Sequence, residues 1–160
     1  ADADVGQRCA VAAWDAAVAR ADGFAFVETY QGRRNATMRK PGWQATAPGA
    51  ELDLDVRAAW RAAFGGEEPP RRVRLALSML QTYELAGAAV VSCLAGCACE
   101  PARFNGLIQK RESISAAVIV DVDVRAEGGG ACTRRLEASK ENRALEKVKL
   151  EQLTLRPLMS

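Results

Sequence analysis

The sequence predicts an all-β chain, an antiparallel β-sandwich or jelly roll braced by disulfides, and three observations carry that prediction. Apolar and polar side chains alternate with a period of two in several separate stretches. Glycine and proline punctuate the intervals between them. Three of the five cysteines crowd into residues 93–99, with Cys132 downstream. The count comes to about seven or eight short strands without alternating helices, the pattern of a sandwich rather than of a parallel sheet.

Residues 1–22 read as a lead-in. Cys9 to Ala21 is alanine-rich, with Trp14 and Val18 four apart, so a short helix and an irregular segment both fit. The sandwich is expected over 23–157, with 158–160 as a tail. It opens on Phe24, Phe26 and Glu28, a run that continues through Tyr30 into the basic turn Gln31-Gly-Arg-Arg-Asn35. Two Pro-Gly signals, Pro41-Gly42 and Pro48-Gly49, then box a short extended segment carrying Trp43. From Glu51 to Val56 the alternation is strict: Leu52, Leu54 and Val56 face one side, and Glu51, Asp53 and Asp55 face the other.

Gly65-Gly-Glu-Glu-Pro-Pro70 is a loop. Val73, Leu75, Leu77 and Met79 alternate beyond it, and a second apolar run, Ala88 to Leu94, follows across Tyr83–Gly87. Val118, Val120, Val122 and Val124 alternate with Ile119, Asp121, Asp123 and Arg125 before Gly128-Gly-Gly130 turns the chain. The tail beyond Leu136 has helical composition, yet Val148 and Leu150 keep a strand rhythm that slips by one residue before Leu153 and Leu155. A strand over Lys147–Leu155 with a bulge near Glu151-Gln152 accounts for the slip, and Ser139–Arg143 is left as loop.

The 160 residues, 49% hydrophobic and 26% charged, suffice for one ordinary domain. No apolar run approaches the roughly 18 residues of a spanning helix, so no membrane insertion is expected. The net charge of +2 gives little attraction for nucleic acid. The histidine count is zero, which rules out a Ser-His-Asp or Cys-His catalytic unit within this chain. No enzymatic activity of its own is expected, and no cofactor and no metal.

Zinc, reduced thiols and disulfides are all open to clustered cysteines, but the spacings within 93–99 are not those of zinc knuckles. Disulfides among Cys93, Cys97, Cys99 and Cys132 are the favoured reading. Four cysteines allow three pairings, and Cys97 with Cys99 is disfavoured because one intervening residue closes badly. Cys9 is the odd thiol: free, paired outside the chain, or displacing a member of the cluster. Disulfides, with Asn35-Ala36-Thr37 as a glycosylation acceptor at Asn35, suit a secreted, cell-surface or secretory-lumen protein.

Lys40-Pro-Gly-Trp43, Pro48-Gly-Ala-Glu-Leu52, Gln81-Thr-Tyr-Glu-Leu-Ala-Gly-Ala-Ala-Val90, the cysteine cluster and Lys147–Leu155, in that order, resemble a β-sandwich region of plant and algal proteins. In those proteins the region lies downstream of a GDSL/SGNH-hydrolase-like domain. The resemblance runs from about Cys9 to Pro157. It implies a galactose-binding-like or jelly-roll accessory domain. The esterase activity does not carry over, since the chain has no Gly-Asp-Ser block.

Trp43 and Tyr83 are the candidate stacking platform for a sugar ring, with Glu84 and Arg111 as the acid and the arginine for its hydroxyls. The competing reading packs Trp43 between turns and uses Tyr83 to brace a strand corner. Asp53/Asp55 and Asp121/Asp123 are expected on outward faces as solvated charge. Arg33, Arg34, Arg39 and Lys40 form a basic patch beside Trp43. The expected role is a non-catalytic extracellular recognition or assembly module. Its partner is a glycan or a neighbouring protein domain, and an oligomer is compatible with it. The alternatives are the accessory domain of an SGNH-type esterase acting on glycans and a structural subunit of a larger surface complex.

Overall fold

The computed structural model describes residues 8–31, 37–82, 85–109, 113–125 and 132–158. Two antiparallel sheets face each other. In chain order the elements are β1 (Ala10–Val11), α1 (Trp14–Ala17), β2 (Val18–Asp22), β3 (Phe24–Gln31), β4 (Thr37–Ala45), β5 (Glu51–Asp55) and α2 (Val56–Ala63). There follow β6 (Arg72–Gln81), β7 (Ala88–Cys93), β8 (Cys97–Ala98), β9 (Ala102–Asn105), β10 (Ile114–Val124), β11 (Thr133–Ala138) and β12 (Val148–Pro157). The larger sheet runs β3-β4-β12-β6-β10-β8, with β1 on β12, and the smaller runs β2-β5-β11-β7-β9.

From β4 to β12 each strand lies in the sheet opposite to the one before it. The segment after β6 therefore crosses between sheets instead of closing a hairpin. This interleaving makes nearly every pairing non-local, and what fixes it is the apolar face shared by the two layers. Val73, Leu75, Leu77 and Met79 of β6, with Leu150, Leu153 and Leu155 of β12, face Leu52, Leu54, Val91 and Leu136 of the smaller sheet. All of these are essentially inaccessible. At roughly 1.5–3 kcal/mol for each such side chain removed from water, this layer is the main stabilising term.

The alternation read from the sequence holds in β6, β10 and β12, and the register slips between Leu150 and Gln152 where the bulge was expected. Several expectations need correction. The Leu52, Leu54, Val56 rhythm does not remain a strand: Asp55 accepts a hydrogen bond from the amide of Ala58 (3.1 Å), caps α2 and turns the chain. Val56, Ala59, Trp60 and Ala63, at helical spacing, bind that helix to the core. Pro41-Gly42 is not a turn but lies inside β4, where a register slip between Val27 and Thr29 absorbs the proline. Gly42 is needed there because a Cβ would sit 2.8 Å from the carbonyl oxygen of Leu150. Pro48-Gly49 does turn, with Gly49 at φ +78°.

Asp53 is not solvated. It is 6% exposed and bound by Arg135 of β11 at 2.8 and 3.1 Å, with Arg20 at 3.5 Å. The hydrogen bond from Arg135 holds its carboxyl below the usual aspartate value, against the opposing effect of burial. Asp121 is likewise clasped by Arg74 at 2.7 and 3.0 Å. Residues 10–22, set apart as a lead-in, supply β1 to one sheet, β2 to the other and α1 against α2. Among the described residues no helix is long and apolar enough to cross a membrane.

Candidate functional site

Two disulfides, Cys93–Cys99 and Cys97–Cys132, stitch the end of the sandwich where β7 finishes and β8 begins. Their Cα separations, 5.8 and 5.0 Å, are those of ordinary bridges. All four cysteines singled out in the sequence are used, and Cys9 is free and exposed. Beside this stitched end lies a cleft of about 700 Å³.

Its walls come from five places in the chain. The cap at Asp55 sets α2 so that Arg57 lies in the first turn. There Arg57 is 8% exposed, and its Nη2 donates to the carbonyl of Arg125 at 2.7 Å. Gly65 (φ +64°) and Gly66 (φ +90°) turn the chain after α2 and bring Glu68 and Pro69 back over it. Glu68 pairs with Arg61 at 2.8 Å and with Arg57 at 3.3 Å. The hydrogen bond from Arg61, more than any other contact, lowers its pKa below the usual value.

Arg71, Asp123, Val124 and Arg125 form the far wall, and Ala98 of β8 closes the floor. The amide of Val124 donates to the carbonyl of Arg71 (2.6 Å) and that of Arg125 to Gly96 (3.1 Å), so β6, β8 and β10 hold these side chains in fixed relation. Arg71, 84% exposed, reaches Asp123 at 3.4 Å. The guanidinium of Arg125 has no ion-pair partner among the described residues. The cleft thus presents three guanidinium groups against two carboxylates, one cation being unspent, beside the apolar atoms of Pro69 and Ala98. Guanidinium forks suit carboxylate and sulfate, and the carboxylates accept from hydroxyls.

Of the residues proposed from sequence as a sugar platform, Trp43 lies elsewhere. Trp43 sits in β4, half-buried, edge-on to Phe26 with ring centroids 5.6 Å apart, and its indole N–H is buried without an acceptor among the described residues. The half-buried ring packs against the core. Tyr83, Glu84, Arg111 and Asn35 lie outside the described residues, as do Arg33 and Arg34. The flanks of two of those segments meet, since Ser113 and Thr82 share a hydroxyl hydrogen bond of 3.1 Å at the end of β6 remote from the cleft. Arg57, Glu68, Arg71 and Arg125 were not singled out as site residues. The one local signal was Asp55 followed by Val56, Ala59 and Trp60, which marks a helix start and so places Arg57.

No protein-family model matches the sequence, and no curated protein is detectably similar to it. Solved structures resemble it in shape. One is the C-terminal CBM6 of LamC, a marine laminarinase from Zobellia galactanivorans. It has TM-score 0.51 and 7% identity, over 93% of this chain and 99% of that one. Another is the insecticidal crystal protein Cry2Aa, with TM-score 0.53 and 6% identity over 88% of this chain. This chain spans only 20% of that protein. At such identities the likeness establishes the shared β-sandwich architecture.

Proposed function

We propose that the protein is a glycan-recognition module without catalytic activity of its own, and that the end cleft holds an acidic sugar unit bearing a carboxylate or a sulfate. The observation that carries this reading is Arg125, without an ion-pair partner among the described residues, beside Arg57 and Arg71, in a cleft that also offers Glu68 and Asp123 to hydroxyls. The sandwich it shares with a carbohydrate-binding module supports the reading. Two disulfides fit an oxidising compartment, which favours an extracellular setting. In the same reading the chain serves as the accessory region of an SGNH-type hydrolase, recognising glycan while the neighbouring domain supplies the catalytic histidine.

Calorimetric titration with uronate-bearing, sulfated and neutral oligosaccharides tests it. Acidic sugars are expected to bind and to weaken as salt rises. The double variant Arg71→Gln/Arg125→Gln should lose about tenfold in affinity, equivalent to about 1.4 kcal/mol, while still unfolding cooperatively. Equal binding of neutral and acidic sugars, or a double variant that binds as well as the parent, would overturn the cleft assignment. Binding abolished only by Trp43→Ala would move the site to the Phe26–Trp43 rim.

A further inference from the structure

Arg134 of β11 points between the sheets and is completely buried. Among the described residues no carboxylate meets it. Its Nη1 donates to Cys93 Sγ at 3.1 Å and to Cys99 Sγ, while Nε and Nη2 are buried without an acceptor among the described residues. Burial alone pushes its pKa down to about 10. The sulfurs of a disulfide are weak, uncharged acceptors, so this cation is dehydrated with almost no compensation. Strand alternation places the charged neighbours Asp53, Arg135 and Glu137 on the outer face, and Glu100 is exposed.

The second bridge has the opposite surroundings. Cys97 and Cys132 are 7% and 0% exposed, and the polar atoms nearest Cys97 Sγ are the carbonyls of Thr133 (3.6 Å) and Ala95 (3.8 Å). Carbonyl oxygens disfavour a thiolate. Cys93 and Cys99 are only half-buried.

We propose that Cys93–Cys99 is a reducible switch whose open form is stabilised by Arg134, whereas Cys97–Cys132 is a permanent brace. The reductant is a dithiol. One of its thiols loses a proton to solvent, and the resulting thiolate attacks one sulfur of the pair, forming a mixed disulfide, while the other cysteine leaves as a thiolate on Arg134 Nη1. The reductant's second thiol gives its proton to solvent and displaces the first cysteine, which takes up a proton. Two electrons pass to the protein, and the products are a cyclic disulfide, one thiol, one thiolate and one net proton released. Reduction gives Arg134 the anion it lacks in the closed form. Opening frees residues 94–96, up to the retained Cys97–Cys132 brace, and these carry the carbonyl of Gly96 that holds the amide of Arg125, so one wall of the cleft loosens. That last consequence rests on the proposed binding site, but the reducibility does not.

Equilibrating the folded protein with graded dithiothreitol, quenching, alkylating and mapping each cysteine by mass spectrometry tests the proposal without any glycan. Cys93 and Cys99 should open at a reductant ratio at least tenfold lower than Cys97 and Cys132. Arg134→Met should raise the ratio needed for the first pair about tenfold, and Arg134→Lys should restore part of the shift. Simultaneous opening of both bridges, or an Arg134→Met protein indistinguishable from the parent, would sink it. Should Arg134→Met fail to fold, the alkylation pH profile of the reduced parent decides. One of Cys93 and Cys99 must react with a midpoint well below the ordinary thiol value of about 8.5, and a midpoint at that value overturns the proposal.

Discussion

The two ends of the sandwich are closed by different chemistry. At the cleft end, two disulfides, the capped helix α2 and the pairs Arg57–Glu68, Arg61–Glu68 and Arg71–Asp123 hold the chain. At the far end there is no covalent link among the described residues. Asn142 clamps β7 there, accepting from the amide of Ala88 (2.9 Å) and donating to its carbonyl (3.0 Å). Backbone bonds join Lys147 to Leu85 (2.7 Å) and Gly87 to Lys147 (2.8 Å). Leu85, Leu107 and Leu145 stay largely exposed around it. Gathering three guanidinium groups around one cleft is self-repulsive, and the bridges lie where that repulsion must be resisted. Among the described residues the far end is held by these neutral hydrogen bonds together with the Arg143–Glu146 pair at 3.4 Å.

The largest expected effect falls within the cleft end, between its two bridges. Cys97→Ala/Cys132→Ala removes a bridge between residues 35 apart in sequence. It should lower stability by about 4 kcal/mol on the loop-entropy relation, against about 2 kcal/mol for a bridge spanning as few residues as Cys93–Cys99. Urea denaturation of the two double variants checks the ordering, and equal losses would break the contrast.

An intermediate effect lies between the ends, on the outer face of the smaller sheet. Because Asp53 has a lowered pKa in the folded protein, its contribution is complete above the unfolded value near 4. It is lost as pH falls through the folded value. Asp53→Asn should cost about 2 kcal/mol at pH 7 and flatten the decline of stability below pH 4, as read from melting curves across pH. A decline as steep as the parent's would remove the Arg135 clasp from the account.

The smallest effect belongs to the far end. Asn142→Ala should cost about 1 kcal/mol and speed amide exchange at Ala88 while leaving the cleft end protected. Hydrogen exchange resolves this, and faster exchange around Val124 would show that the ends are coupled.

The larger sheet was legible because its central strands carry apolar residues at every second position, so burial and local pattern agree along β6, β10 and β12. Even the slip at Leu150–Gln152 was written in the phase of the leucines. The smaller sheet was less so. Asp53 occupies the polar phase of β5 and looks solvated until Arg135, 82 residues later, is laid over it. The rhythm Leu52, Leu54, Val56 hides the helix start because Val56 is buried in either conformation. The cysteines to be bridged could be chosen by spacing, but their pairing depends on how β7, β8 and β11 meet. The cleft was illegible for the same reason. Residues 57, 68, 71, 98 and 123–125 share no local motif, and only the alternation of strands between sheets brings them together.

Residues 10–22 fasten both layers at once, and this bears on how the protein can be trimmed. Beginning the chain at Gly23 would discard β2, the outer neighbour of β5, together with the short helix packed on α2. The amides and carbonyls of β5 that point toward β2 would then face water as a bare margin open to a second molecule. A truncated product is thus expected to self-associate along β5, and expression designs should keep everything from Ala10 onward.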